Sequence, residues 1–125
     1  MYSVNTFLSF LQKFTDITPA EFDQFLRPVI RERRFGKKEI LTDTGEVEDY
    51  FNFILKGLIR KYYRKGHQEI NTQISLEKHI IHSQESFHSR QPSEYIVETI
   101  QPSVAASISY ADLEAVFARP PPTTP

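Results

Sequence analysis

The chain has 125 residues, 39% of them hydrophobic and 25% charged, with fifteen Lys and Arg against sixteen Asp and Glu for a formal charge of -1. This length makes one domain with one core, and the balanced charge excludes a polycation that holds nucleic acid non-specifically. Cys is absent, which excludes disulfide scaffolds, thiol catalysis and cysteine-based zinc sites, and no apolar run approaches the ~18 residues of a membrane span.

Residues 1–34 read as a helical segment. Phe7, Phe10, Leu11 and Phe14 follow the helical spacing i, i+3, i+4, i+7, with Asn5 or Thr6 as N-cap. Thr18-Pro19-Ala20-Glu21 has the form of a capping box with Pro at the first helical position. Phe22, Phe25, Leu26 and Val29 continue that helix as an apolar stripe. Pro28 lacks an N–H and clashes with the preceding turn, so the helix is expected to end or kink near Arg27. The basic run from Arg31 to Lys38 reads as a solvated stretch where the chain leaves it.

From Phe35 the pattern changes to strands. Gly36 to Leu41 reads as a turn feeding a short strand, and Thr42 to Glu46 as a loop turning at Gly45. Phe51, Phe53 and Leu55 share a strand face, and the turn at Gly57 predicts that this strand pairs with Leu58 to Tyr63 as an antiparallel hairpin. A second turn at Arg64 to His67 leads into Gln68 to Leu76, with Ile70 and Ile74 on one face. Glu94 to Ile100 and Val104 to Ile108 read as further strands. Ser109 caps a closing helix to Phe117, with Asp112 at its third position. Residues 118–125, with four of the chain's eight Pro, read as an extended, mobile tail. The fold class expected is mainly β with flanking helices: an antiparallel β-roll or jelly roll (double-stranded β-helix), N-terminal helices and a short C-terminal helix.

The stretch from Phe51 through Lys56-Gly57 to Tyr62-Tyr63 resembles the central hairpin of the cyclic-nucleotide-binding domain in Crp/Fnr-type transcription regulators. Lys37-Lys38-Glu39-Ile40-Leu41 and Thr44-Gly45-Glu46 are similar to that family's entry into its roll. Glu85-Ser86-Phe87, Gln91-Pro92-Ser93-Glu94-Tyr95-Ile96 and Ser109-Tyr110-Ala111-Asp112-Leu113 resemble the variant of many bacterial members. The likeness covers residues 35–117 and implies a non-enzymatic, cytoplasmic, eight-stranded roll that senses a small effector and regulates transcription.

In that family a Gly-Glu pair before a short helix and an Arg-Ser or Arg-Thr pair after it hold cAMP or cGMP. Carried over, the first pair falls at His82-Ser83 and the second at Pro92-Ser93, so only Ser93 keeps the pattern. The candidate ligand cassette is therefore His82, Ser83, Glu85, Ser86, Arg90, Pro92 and Ser93, degenerate for cyclic nucleotide. Arg90 and Glu85 either replace the lost arginine and acid or stay in solvent as a loop charge and a helix-start residue. The resemblance also implies a dimer helix and a DNA-reading helix-turn-helix. Neither follows Phe117 here, so specific DNA binding by this chain alone is not expected.

Other constellations read blandly. His79, His82, Glu85 and His88 lie within ten residues, but a metal-dependent cupin-like site wants an H-x-H pair on one strand, which is missing. Lys56, Arg60, Lys61, Arg64 and Lys65 read as an outer sheet face, because alternation splits Arg60 and Tyr62 from Lys61 and Tyr63. Aromatic surface around Tyr110, Leu113 and Phe117 is expected to be exposed and to give either a homodimer unlike the family's or a weakly associating monomer. A protein-interaction or dimerisation module without a small ligand is the alternative function.

Overall fold

The computed structural model describes residues 4–117. The tail at 118–125 lies outside them, as does the side chain of Phe117. Local signals govern the N-terminal part. Helix α1 (Asn5–Leu11) follows Val4, with no side-chain cap, so neither Asn5 nor Thr6 plays the expected role. Helix α2 (Pro19–Glu21) begins with both halves of the capping box, Glu21 N–H donating to Thr18 Oγ1 at 3.1 Å and Thr18 N–H to Glu21 Oε1 at 2.9 Å. The helix then widens into a π-helical turn (Phe22–Leu26) and tightens into a 3₁₀ turn (Arg27–Val29). Pro28 withholds a ladder N–H there, and the helix ends.

Among the described residues seven antiparallel strands follow in two sheets. The first holds β1 (Arg31–Phe35), β7 (Ser103–Ser109) and β3 (Tyr50–Lys56), in the order β1-β7-β3. The second holds β2 (Ile40–Thr42), β6 (Ile96–Thr99), β4 (Ile59–Lys65) and β5 (Gln68–Ser75), in the order β2-β6-β4-β5. In place of an eighth strand, the segment 78–81 runs along the free edge of β3. Lys78 N–H donates to Ile54 O, Ile54 N–H to His79 O and Ile81 N–H to Asn52 O, around an antiparallel Phe53–Ile80 bridge. Helices α3 (Gln84–Ser89) and α4 (Tyr110–Phe117) complete the fold. Asp112 N–H donates to Ser109 Oγ at 3.1 Å, the cap expected for α4.

The structure corrects further sequence-based expectations. Residues 31–35 are not helix or solvated connection but a strand: Arg31 pairs with Ser107 and Arg33 with Ala105. The small residues of β7 leave room for long basic side chains, and period-2 alternation turns Arg33 inward. Gly57 does not close a hairpin. It passes the chain from one sheet to the other, with φ +115, and a Cβ placed there would stand 2.1 Å from Ser103 Oγ. Only glycine lets the backbone cross over Ser103 this closely. Ile70 and Ile74 do not share a face, because the register slips by one between Lys61 and Tyr62, leaving Thr72 as the extra residue. That bulge sets Ile74 opposite Arg60 at 55% exposure and Ile70 opposite Tyr63. Finally, the surface around α4 is not openly apolar, since Leu113 packs on the core and Tyr110 is half-buried under Arg90.

The two faces of the three-stranded sheet differ in chemistry. Its outer face, Phe53, Ala106 and Ile108, packs against Phe7 and Phe22 of the N-terminal helices, with Phe51 and Leu55 beside them. Phe7 stacks on Phe53 at 4.8 Å between ring centroids. Ile54, Ile59, Ile81 and Val97 form a smaller cluster between the sheets. Much of the remaining interior is polar, with Thr42, Glu48, Asn52, His82, Ser83, Ser93 and Ser107 all buried. Among the described residues every fully buried side-chain nitrogen and oxygen has a hydrogen-bond partner, as interior polar groups require.

Candidate ligand cassette

The cassette hangs on Glu48, which is 1% exposed between β2 and β3. Its Oε1 accepts from Ser83 N–H at 2.9 Å, and its Oε2 accepts from Thr42 Oγ1 at 2.8 Å and Tyr50 N–H at 3.3 Å. Its own N–H donates to Ser86 Oγ at 2.9 Å. Burial pushes the Glu48 carboxyl above the usual carboxylate range, while the Ser83, Thr42 and Tyr50 donors and the Arg33 charge pull it back only in part. Both ends of the first turn of α3 are thus fixed to one buried residue.

The expected cassette residues separate into two groups. Ser83, Glu85, Ser86, Pro92 and Ser93 line one pocket of about 240 Å³, together with Ser89, Gln91, Glu94 and Tyr95. Ser93 Oγ–H donates to Tyr95 O at 2.7 Å, so the 2.6 Å contact with Ser83 is donated by Ser83. Ser86 Oγ–H donates to Gln91 O. The loop at Gly45 clamps the far side, with Gly45 N–H on Ser93 O and Ser93 N–H on Glu46 O.

His82 and Arg90 lie outside the pocket wall. His82 is buried, its Nδ1–H donating to Tyr50 O at 3.2 Å and its ring set edge-on between Phe51 and Phe87. Burial lowers its pKa to about 4, with the His88 and Lys61 charges adding to the effect. Arg90, in the left-handed conformation after α3 with φ 61, points toward α4. Its guanidinium lies 3.8 Å over the Tyr110 ring, donates to Asp49 Oδ1 at 2.6 Å and donates to the carbonyls of Glu48 and Phe87. Glu85 stays exposed to water and also pairs with Lys61, Lys61 Nζ donating to its Oε1 at 2.9 Å and Oε2 at 3.2 Å. Burial works against the Glu85 charge, but Lys61 outweighs it and holds the carboxyl below its ordinary range.

Three contributors were not singled out from the sequence. Lys61 is buried, not on an outer sheet face, and its ammonium lies 4.6 Å over the Tyr95 ring. Its signal was the shared parity with Ile59, which is fully buried. Arg33 enters the roll from β1, donating to Ser107 Oγ and Asn52 Oδ1 and covering the Tyr50 ring at 3.7 Å. Glu48 carried no motif at all. The histidines do not converge: His79 is exposed and bonded to Glu77 O, and among the described residues no three His, Asp or Glu side chains group to hold a metal.

Solved structures with the same architecture are numerous. The catabolite activator protein of Thermus thermophilus superposes with a TM-score of 0.73 at 14% identity, covering 83% of this chain and 48% of that one. These two sheets and their helices have the arrangement of a cyclic-nucleotide-binding β-roll. The sensor domain of the transcriptional regulator DNR from Pseudomonas aeruginosa gives a TM-score of 0.73 at 16% identity, over 92% of this β-roll and 80% of that chain. The regulatory subunit of a cAMP-independent protein kinase A from Trypanosoma cruzi, bound to guanosine, gives 0.74 at 15% identity, over 90% of this chain and 41% of that one. The β-roll thus spans less than half of the Thermus and Trypanosoma chains. No protein-family model matches the sequence, and no curated protein does.

Proposed function

We propose that the chain is a non-enzymatic, effector-sensing regulatory domain of the Crp/Fnr kind, acting in the cytoplasm, whose cassette takes a small molecule other than cAMP or cGMP in their usual pose. The positions of the cations support this reading. Position 92 is Pro, and Arg90 is engaged outside the pocket by Asp49 and two carbonyls. A cyclic phosphate entering the pocket meets no free guanidinium, a charge-assisted contact worth about 1.5–3 kcal/mol. Ser83, Glu85, Ser86, Pro92 and Ser93 are then the ligand-facing residues, and His82 and Arg90 are supports behind them. The Trypanosoma cruzi neighbour is cAMP-independent and bound to guanosine, so a roll of this shape is compatible with a ligand that lacks the cyclic phosphate.

The test is a thermal-shift titration against cAMP, cGMP and a panel of nucleosides and other small metabolites. A ligand at one hundred times its Kd adds about 2.7 kcal/mol, which raises Tm by roughly 5–10 °C in a domain of this size. The expected outcome is no shift with either cyclic nucleotide and a shift with another small molecule that Ser93→Ala abolishes. A saturable cAMP shift at micromolar concentration overturns the proposal.

A further inference from the structure

Strand β4 delivers an ammonium into the roll beside the pocket, and its partner is unequal to it. The Lys61 side chain is 10% exposed, whereas that of Glu85 is 61% exposed. A carboxylate so placed leaves for water at little cost. The ammonium cannot follow, because its stem is buried. Among the described residues no other carboxylate lies within 4 Å of it. An interior charge stripped of its counter-ion is strongly disfavoured, so the site calls for a replacement anion once Glu85 swings away. Glu85 itself lines the pocket, so its departure enlarges the space and uncovers Lys61 in the same movement.

We infer that Lys61 is the ligand-anchoring cation of this pocket, that Glu85 occupies the place of a ligand carboxylate, and that the effector is a small monoanionic organic acid that binds by displacing Glu85. This deepens the sensing reading and rests on it. The class follows from the chemistry. Glu85 presents both carboxylate oxygens to Nζ, at 2.9 and 3.2 Å, and another carboxylate reproduces that contact atom for atom. A single ammonium neutralises one charge, and Glu94 on the pocket wall opposes a second. The volume of about 240 Å³ lies below the ~300–1,000 Å³ of pockets for drug-sized ligands, which limits the acid to a small one. Gln91, Pro92 and the ring of Tyr95 on the same wall are left for its neutral body.

The experiment follows the lysine ε-methylene NMR signals of the full chain on titration with sodium acetate, at ionic strength fixed with chloride. Wild type, Glu85→Gln and Glu85→Gln/Lys61→Met are compared, with Glu85→Ala as a second way to vacate the site and thermal melting as the check of folding. The Lys61 signal of the Glu85 variants is expected to shift saturably, at a half-saturating acetate concentration at least ten-fold below that of wild type, and the double variant to show no such response. A Lys61 signal in both Glu85 variants that moves no more than that of exposed Lys65 overturns the inference and makes the ion pair purely structural. Adding cAMP and cGMP to wild type in the same assay separates the two levels. A saturable micromolar response there overturns the sensing proposal, whatever acetate does.

Discussion

Replacing Glu48 with Ala tests the claim that one buried carboxylate holds the cassette in place. The substitution removes the acceptor of Ser83 N–H at 2.9 Å, Thr42 Oγ1 at 2.8 Å and Tyr50 N–H at 3.3 Å. A buried donor left unpaired costs about 1–3 kcal/mol. Thr42 can turn its hydroxyl, and the Tyr50 contact is long, so the loss is dominated by Ser83 plus the cavity left by the side chain. Removing a carboxylate that burial disfavours returns part of this, for a net destabilisation of about 3 kcal/mol, a large share of the 5–15 kcal/mol typical of a domain. Urea denaturation measures the total, and amide exchange locates it: protection should fall first at Ser83 and through α3, before the Phe7–Phe53 core. A pH series adds a signed check. The folded carboxyl sits above its unfolded value, so its contribution is fully present below about pH 4.5 and is lost as pH rises through the folded pKa. Glu48→Gln removes this slope while keeping the Ser83 contact. A loss under 1 kcal/mol for Glu48→Ala, with exchange at Ser83 unchanged, refutes the anchoring role.

Further outcomes follow from the same structure. His82 has the opposite sign: with its folded pKa near 4 against 6.5 unfolded, it contributes about 3 kcal/mol that is present above pH 6.5 and lost as pH falls through 4. His82→Phe should flatten the acid limb of urea midpoint against pH, and an unchanged limb rules out His82 as its cause. Gly57→Ala combines a forbidden φ of +115 with a Cβ 2.7 Å from the Ser103 backbone; backbone strain and overpacking should together cost about 3–5 kcal/mol. Adding Ser103→Gly should restore only part, because the clash with the main chain at position 103 and the positive φ both remain, and full rescue in a melting experiment contradicts this account. Thr18→Ala breaks the capping box and should cost about 1 kcal/mol by chemical denaturation, with the β-sheet signal in far-ultraviolet circular dichroism retained.

What could be read from the sequence was what is decided within a few residues. The Thr18 box and the Ser109–Asp112 cap are three-residue contacts, and both formed as read. The strand face of Phe51, Phe53 and Leu55 also held, because alternation needs no knowledge of the partner. Pairing does need it. Gly57 has the local chemistry of a hairpin turn and serves as a crossing between sheets because Ser103, forty-six positions later, lies beneath it. The strand at Arg31–Phe35 was hidden for the same reason. Four of its five residues are charged, and its place in the sheet comes from the small side chains of β7 opposite.

The cassette was legible as a segment and not as a site, and the difference lies in direction. Spacing places Arg90 near the pocket but does not reveal that its left-handed backbone aims the guanidinium at Asp49 and Tyr110. It places Lys61 among surface cations, since five basic residues in ten positions look solvated. Parity was the better guide. Ile59 had to be buried, Lys61 and Tyr63 share its face, and the bulge at Thr72 displaces β5 without turning β4 over. Wherever a charged residue alternates with an apolar one whose burial is certain, its side chain goes inward too, and the question becomes which group opposite can neutralise it. Here that group is Glu85, carried by the helix that closes the pocket. Among the described residues the one buried lysine and the helix that closes the pocket are therefore joined by a single ion pair, so any ligand that competes for Lys61 also acts on α3.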